Sequence, residues 1–340
     1  MKAKPKLLFI TQKIHQDDDD LAFVILWVKE FVRQGIDVQV ICLQKGNFDD
    51  SFPVYSLGKE SGLGKFTRIL RFWKLILSLD YNRVFVHMNP EYVTLGGWYW
   101  FFKRTPVYLW YTHYTMHIHL WLSGLLCRRM FAATAQSLPQ YNSSPKKVIV
   151  GHGIDLTFWG NVSGEREINE KSLVYINRLS RSKRVELAIQ ALAHLPQEYT
   201  LTIYGRVVPG EEEYNEELRM IASDNRFKDR VFFKGSIPMS NLRNIYPQHR
   251  LMVNMAMETI DKTMLEGMLF GIYPITTPAN SQAIGLPVWP MGETPKDVAD
   301  FIKSGVWTSY GVGELAKIVE EKHSLPALIQ KMSNFITRGN

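Results

Sequence analysis

The 340 residues are 46% hydrophobic and 21% charged, a balance that excludes a disordered or collagen-like chain and, at this length, predicts two domains. The net charge of +7 arises in the first half, where residues 1–160 hold 19 Lys and Arg against 12 Asp and Glu, while residues 161–340 hold 21 of each. That asymmetry points to an anionic partner for the first half, membrane lipid or a phosphorylated acceptor; nucleic acid is set aside because no binding motif accompanies the charge.

From the N-terminus, the basic lead MKAKPK precedes an apolar run at 7–10 that is too short for a secretory signal and reads as a first strand over 6–11. Further strands are predicted at 37–43, 83–87, 106–111, 131–135 and 147–150, then at 172–176, 199–204, 230–234, 250–254 and 273–276. Helical spacing marks 20–34, 64–79, 184–195, 212–224 and 262–270 between them, with closing helices near 311–322 and 325–337. This alternation predicts an α/β chain of two Rossmann-like, doubly wound domains facing a central cleft, with ligand at the carboxyl ends of the strands. The polar stretch between 151–155 and Lys171 supplies the boundary. It gives an N-terminal acceptor-side domain over 1–152, a donor-binding domain over 153–322, and a terminal helix within 323–340 that packs back towards the first domain.

Residues 105–127 lack Lys, Arg, Asp and Glu over a length able to span a bilayer. Pro106, His113, His117, His119 and several Tyr and Thr are poor company in hydrocarbon, so a strand, a functional loop and a helix are predicted there. Cys42 and Cys127 lie in apolar surroundings without metal-ligand spacing, which suits inert thiols in a reducing compartment. The acids Asp17 to Asp20 suggest a hard-cation site, but four consecutive acids cannot all point inward. They read instead as acids at a helix N-terminus, and no metal site is assigned. In 64–79, Lys65, Arg68, Arg71 and Lys74 alternate with Phe66, Ile69, Leu70, Phe72, Trp73, Ile76 and Leu77. That pattern fits a helix lying on anionic lipid and equally a core-facing helix with a solvated basic edge.

Chemistry concentrates in the second half. The strand ending at 176 hands over to a loop with Arg178, Arg181, Lys183 and Arg184. The planar fork of Arg178 and the compact charge of Lys183 suit the two phosphates of a leaving nucleotide without a metal. Asp261, Lys262 and Thr263 read as a helix start whose free amides face the same cleft, an anion site by local physics. Glu258 precedes that helix and Glu266 lies within it. A carboxylate accepts from two vicinal hydroxyls at once, so Glu266 suits a ribose and Glu258 the transferred sugar.

Residues 148–158 (VIVGHGIDLTF), Arg178 with Lys183, 201–205 (LTIYG), 231–235 (VFFKG) and the pair Glu258 and Glu266 occur in this order across about 150–280. As a set they resemble a GT-B glycosyltransferase, specifically glycosyltransferase family 4. The resemblance implies transfer of a sugar from a nucleotide-diphosphate sugar, with retention, to a glycan or lipid-linked acceptor in cell-surface polysaccharide or glycoconjugate synthesis. It implies no cofactor beyond that co-substrate and no obligatory metal, while the cysteines and the basic first half point to a cytoplasmic location, peripheral on the inner face of the membrane. It places Arg178 and Lys183 on the donor phosphates, Glu266 on the ribose, Glu258 at the donor sugar, and Gly205, Lys234 and Gly235 near the nucleoside. His113 falls where the family has a histidine beside donor sugar and acceptor, its part in proton transfer left open.

Two departures stand out: QKIHQDDDD replaces the family's glycine pair after the first strand, and Thr259 and Asp261 replace its usual glycines between the two glutamates. Two other readings follow. A GT-B sugar-nucleotide epimerase shares the lobes and cleft and is separated by its lack of a glycosyl acceptor. A non-catalytic sugar-nucleotide-binding protein is suggested by the missing glycine pair and opposed by the intact Arg178, Lys183, Glu258 and Glu266.

Overall fold

Runs such as LLFI at 7–10 and LVYI at 173–176 have no polar face to offer water, so each sits inside a parallel sheet covered on both sides. The computed structural model describes residues 5–18, 21–113, 115–160, 169–257 and 260–338. They form two compact units, one made of the residues up to Gly153 together with those from Ser324 onward, the other of Ile154–His323.

The first unit runs β1 Lys6–Ile14, α1 Phe23–Arg33, β2 Asp37–Lys45, β3 Val54–Ser56, α2 Lys65–Ser78, β4 Arg83–His87, α3 Pro90–Phe102, β5 Val107–Trp110, α4 Ile118–Leu126, β6 Arg129–Ala132 and β7 Lys147–Ile149. Its strands order β3-β2-β1-β4-β5-β6-β7, all parallel. The second unit runs α5 Leu156–Trp159, β8 Asn169–Ile176, α6 Val185–Ala191, β9 Thr200–Tyr204, α7 Glu212–Ala222, β10 Val231–Gly235, α8 Leu242–Ile245, β11 His249–Val253, α9 Lys262–Leu269, β12 Tyr273–Ile275, α10 Pro278–Ile284, α11 Pro295–Ser304 and α12 Val312–Lys322. Its parallel sheet orders β10-β9-β8-β11-β12. The last helix, α13 Leu325–Arg338, returns to the first unit. Both sheets are Rossmann-like.

Aromatic rings fill one face of the first sheet, with Phe9 stacked on Phe85 at 5.0 Å and Phe85 on Phe131 at 6.2 Å. Helix α13 closes this core with Leu325, Leu328, Ile329, Met332 and Ile336, all buried at helical spacing. The Tyr108 hydroxyl donates to the Phe335 carbonyl at 3.1 Å, and Arg83 Nε to that of Ile336 at 3.0 Å. Of the acid run, Asp18 accepts from the Leu21 amide at 2.8 Å and pairs with Lys13, just ahead of α1. Asp19 and Asp20 lie outside the described residues.

Strand β6 begins two residues earlier than expected, because Arg129 already pairs with Tyr108. Residues 105–127 include β5, a loop and α4, and no described helix is long and apolar enough to cross a membrane. Cys42 and Cys127 are buried free thiols, both pushed up to about 12 by desolvation. Leu328 is fully buried, so Leu328→Ala is expected to cost about 2–5 kcal/mol. Urea unfolding followed by tryptophan fluorescence measures it.

Candidate functional site

In the second sheet the chain leaves β8 in one direction to β9 and returns on its other side with β11, so the order reverses between β8 and β11. The loops after these two strands part there, which makes the carboxyl edge at that point the natural place for a ligand. Every described residue singled out for the second half lies on this edge: Arg178 and Lys183 after β8, Gly205 after β9, Lys234 and Gly235 at the end of β10, and Asp261 to Glu266 after β11.

The two loops are tied together at several points. Lys183, only 6% exposed, pairs through its ammonium with Asp261 Oδ1 at 2.5 Å. Asp261 Oδ2 accepts from Asn254 Nδ2 at 2.9 Å, and Asn254 Oδ1 in turn accepts from the Ala256 amide at 3.1 Å. The Met257 amide donates to the Ser182 carbonyl at 3.2 Å, and Arg184 Nε to the Met255 carbonyl at 2.8 Å. Thr263 Oγ1 donates to the carbonyl of Ile176, the last residue of β8, at 2.9 Å. These bonds hold Lys183 at the start of α9, whose first amides have no partner inside the helix.

The four cations of the loop part ways. Arg181 turns outward into a forked pair with Glu217 at 2.6 and 2.8 Å. Arg184 binds Met255 and Glu293. Arg178 is exposed, its amide held by Asn177 Oδ1 at 2.7 Å and its carbonyl by the Tyr175 hydroxyl at 3.0 Å. Gly205 allows the next strand to close on this loop: its amide donates to the Gly235 carbonyl at 2.8 Å, and a Cβ there would stand 2.1 Å from the Asn177 carbonyl oxygen. Gly235 turns the chain at φ +74°, and Lys234 before it is exposed.

On α9, Glu266 is buried and accepts from the fully buried Tyr246 hydroxyl at 3.1 Å. Burial pushes the Glu266 carboxyl well above the usual range and pulls the Lys262 ammonium down, while their mutual attraction works against both shifts. His113 belongs to the first unit, exposed after β5, with its ring edge-on to Tyr111 at 5.4 Å. Its neighbours are engaged, His117 Nε2 with the Tyr111 hydroxyl at 3.2 Å and His119 Nδ1 with Thr94 Oγ1 at 2.9 Å. Glu258 and Thr259 lie outside the described residues. Among the described residues no group of three or more His, Cys, Asp or Glu could hold a metal ion.

Sequence reading missed Asn254 and Tyr246. The signal for Asn254 was present, a lone amide at the end of an apolar strand; Tyr246 carried none, being one aromatic among many.

A family model for glycosyl transferases group 1 matches residues 162–283. Several solved structures share the fold over nearly the whole chain. HepE from Anabaena in complex with UDP-glucose is 15% identical, with a TM-score of 0.75 and coverage of 98% of this chain and 99% of that one. A glycosyltransferase from Rickettsia africae is 12% identical, with a TM-score of 0.78 and 98% of each chain covered. The chain has the GT-B fold, and its second unit carries the match to group 1 glycosyl transferases. The lipopolysaccharide outer core galactosyltransferase WaaB, in apo form, is 15% identical, with a TM-score of 0.70 and coverage of 98% and 99%. A search of curated proteins gave no match.

In the folded protein the raised Glu266 pKa has a definite sign. The folded protein holds that proton more tightly than the unfolded chain, so its contribution is full below a free glutamate's pKa of about 4.3 and is lost as pH rises through the folded value. Glu266→Gln is expected to remove that part of the pH dependence. Thermal midpoints collected from about pH 4 to about pH 8 measure the change.

Proposed function

We propose that this glycosyltransferase moves a sugar from a nucleoside diphosphate donor, with UDP-sugars the first to test, to a hydroxyl of a glycan or lipid-linked acceptor, with retention at the anomeric carbon. One observation carries the reading: the loops after β8 and β11 are bonded to each other so that a buried ammonium and a helix N-terminus share the switch point. The donor class is supported by the UDP and UDP-glucose complexes of HepE, and a cell-surface glycan acceptor by the similarity to WaaB.

In the proposed step the bond from C1 to the β-phosphate oxygen breaks, and its electron pair leaves with the diphosphate. The acceptor oxygen bonds to C1 on the same face and gives its proton to a phosphate oxygen. Charge therefore builds on the diphosphate, where Arg178, Lys183 and the first amides of α9 meet it in fixed positions. The helix end adds roughly 0.3–1 kcal/mol for one charge. Asp261 yields the Lys183 ammonium to phosphate as the donor enters. Glu266 is assigned to the ribose, Gly205, Lys234 and Gly235 to the nucleoside, and Glu258 and His113 to the transferred sugar and acceptor. The first unit is assigned the acceptor, and the working place is the cytoplasmic face of a membrane, with the excess of Lys and Arg towards anionic lipid.

Lys183→Ala and Arg178→Ala are each expected to lower kcat/KM for a UDP-sugar by about 10²–10³-fold, with thermal midpoints moving little for the exposed Arg178. Full activity in both variants overturns the phosphate assignment. Because side chains and amides meet the diphosphate charge, turnover is expected to persist in excess chelator; a strict need for added divalent ion overturns that part of the reading.

A further inference from the structure

Large apolar side chains left in water are not spread evenly over this protein. Of the six exposed Phe and Trp among the described residues, five lie on α2, α3 and α4: Phe66, Trp98, Phe101, Phe102 and Trp121. Phe102 is 79% exposed and Phe66 74%. On α2, Phe66, Leu70 and Leu77 fall on one face by their spacing of four and seven. Ile118, Trp121 and Leu125 do the same on α4, at spacings of three and four.

The three stripes join. Trp73, half-buried on the exposed face of α2, meets Tyr99 of α3 at 6.3 Å. Gly97, lacking a Cβ, lets Leu126 of α4 press against α3 beside Trp98. On these helices or within two residues after them lie Lys65, Arg71, Lys74, Lys103, Arg104 and Arg128, all exposed. Residues 65–128 hold eight Lys and Arg against only two acids, Asp80 and Glu91.

We propose that the outer face of α2, α3 and α4 seats this protein on an anionic lipid surface, with Phe101, Phe102, Trp98 and Trp121 entering the interface and the basic residues at the headgroups. Indole and phenyl rings favour that layer, and each cation near an anionic leaflet adds attraction that salt screens. A second copy of this chain is a poorer occupant, since a two-fold contact sets the same basic rim against itself. The proposal extends the reading of the first unit's charge to a defined face. It stands apart from sugar transfer, because its test uses no donor.

The test is co-sedimentation of the full chain with vesicles of phosphatidylcholine alone and of phosphatidylcholine with phosphatidylglycerol. Binding is expected to the anionic vesicles, weakened by salt and accompanied by a blue shift of tryptophan emission. The triple variant Phe101→Ser, Phe102→Ser, Trp121→Ser is expected to lose at least about tenfold in affinity. Lys103→Glu with Arg104→Glu is expected to reduce binding to anionic vesicles, whereas Lys183→Ala leaves it unchanged. Unaltered thermal midpoints show that the surface variants fold. Equal partitioning of wild type and triple variant overturns the proposal, as does a dimer in light scattering that the triple variant dissociates while neither binds vesicles.

Discussion

Lys183 and Asp261 stand 78 residues apart in sequence and touch across the gap between two neighbouring strands. An ammonium this deeply covered is tolerated only with an anion beside it, since the cost of desolvation exceeds what an unpaired charge recovers. The ion pair therefore fixes two loops that the sheet itself leaves free. Asn254 holds the second oxygen of Asp261, and Thr263 pins the helix start to β8, so the cation and the helix end keep one geometry. Asp261 occupies a position where the resembled family usually carries glycine. The protein thus brings its own counterion to the place where a phosphate is proposed to bind, and a donor must offer more than that carboxylate does.

Burial works in the same direction one turn further along α9. Glu266 is enclosed with Tyr246 and beside Lys262, and enclosure disfavours both charged forms while their attraction restores them. A carboxylate kept from water by an aromatic wall is a stronger acceptor for a hydroxyl that reaches it. Burial of both groups costs stability at this turn.

Much of the fold was legible because strands buried on both faces are written as unbroken apolar runs, and this chain keeps ten or more such runs apart with polar loops. Elements that escaped have physical reasons. Strand β3 is only the three residues VYS, and α3, PEYVTLGGWYWFF, is apolar all round, with one side on its neighbours and the other in solvent. Helices α10 and α11 were not predicted either, although the sequence marks their starts, with Thr277 before Pro278 and Thr294 before Pro295, and Thr294 closes a capping box with Asp297. In the site, charge and spacing singled out Lys183, Asp261 and Glu266, which the fold gathers at one edge. The sequence reading took Arg178 rather than Arg181, and the partner that turns Arg181 away, Glu217, comes from α7, 36 residues along. Asn254 showed itself as a lone amide closing an apolar strand, whereas Tyr246 acts through an uncharged hydroxyl whose bond to Glu266 only the coordinates reveal.

Helix α13 supplies Leu328, Ile329, Met332 and Ile336 to the core of the unit that begins at the other end of the chain. The polypeptide accordingly passes between units twice, after Gly153 and after His323. During synthesis the second unit is complete before the first has its last wall. Until α13 emerges, the aromatic side of the first sheet is backed by α1 alone and lacks the apolar wall that α13 supplies.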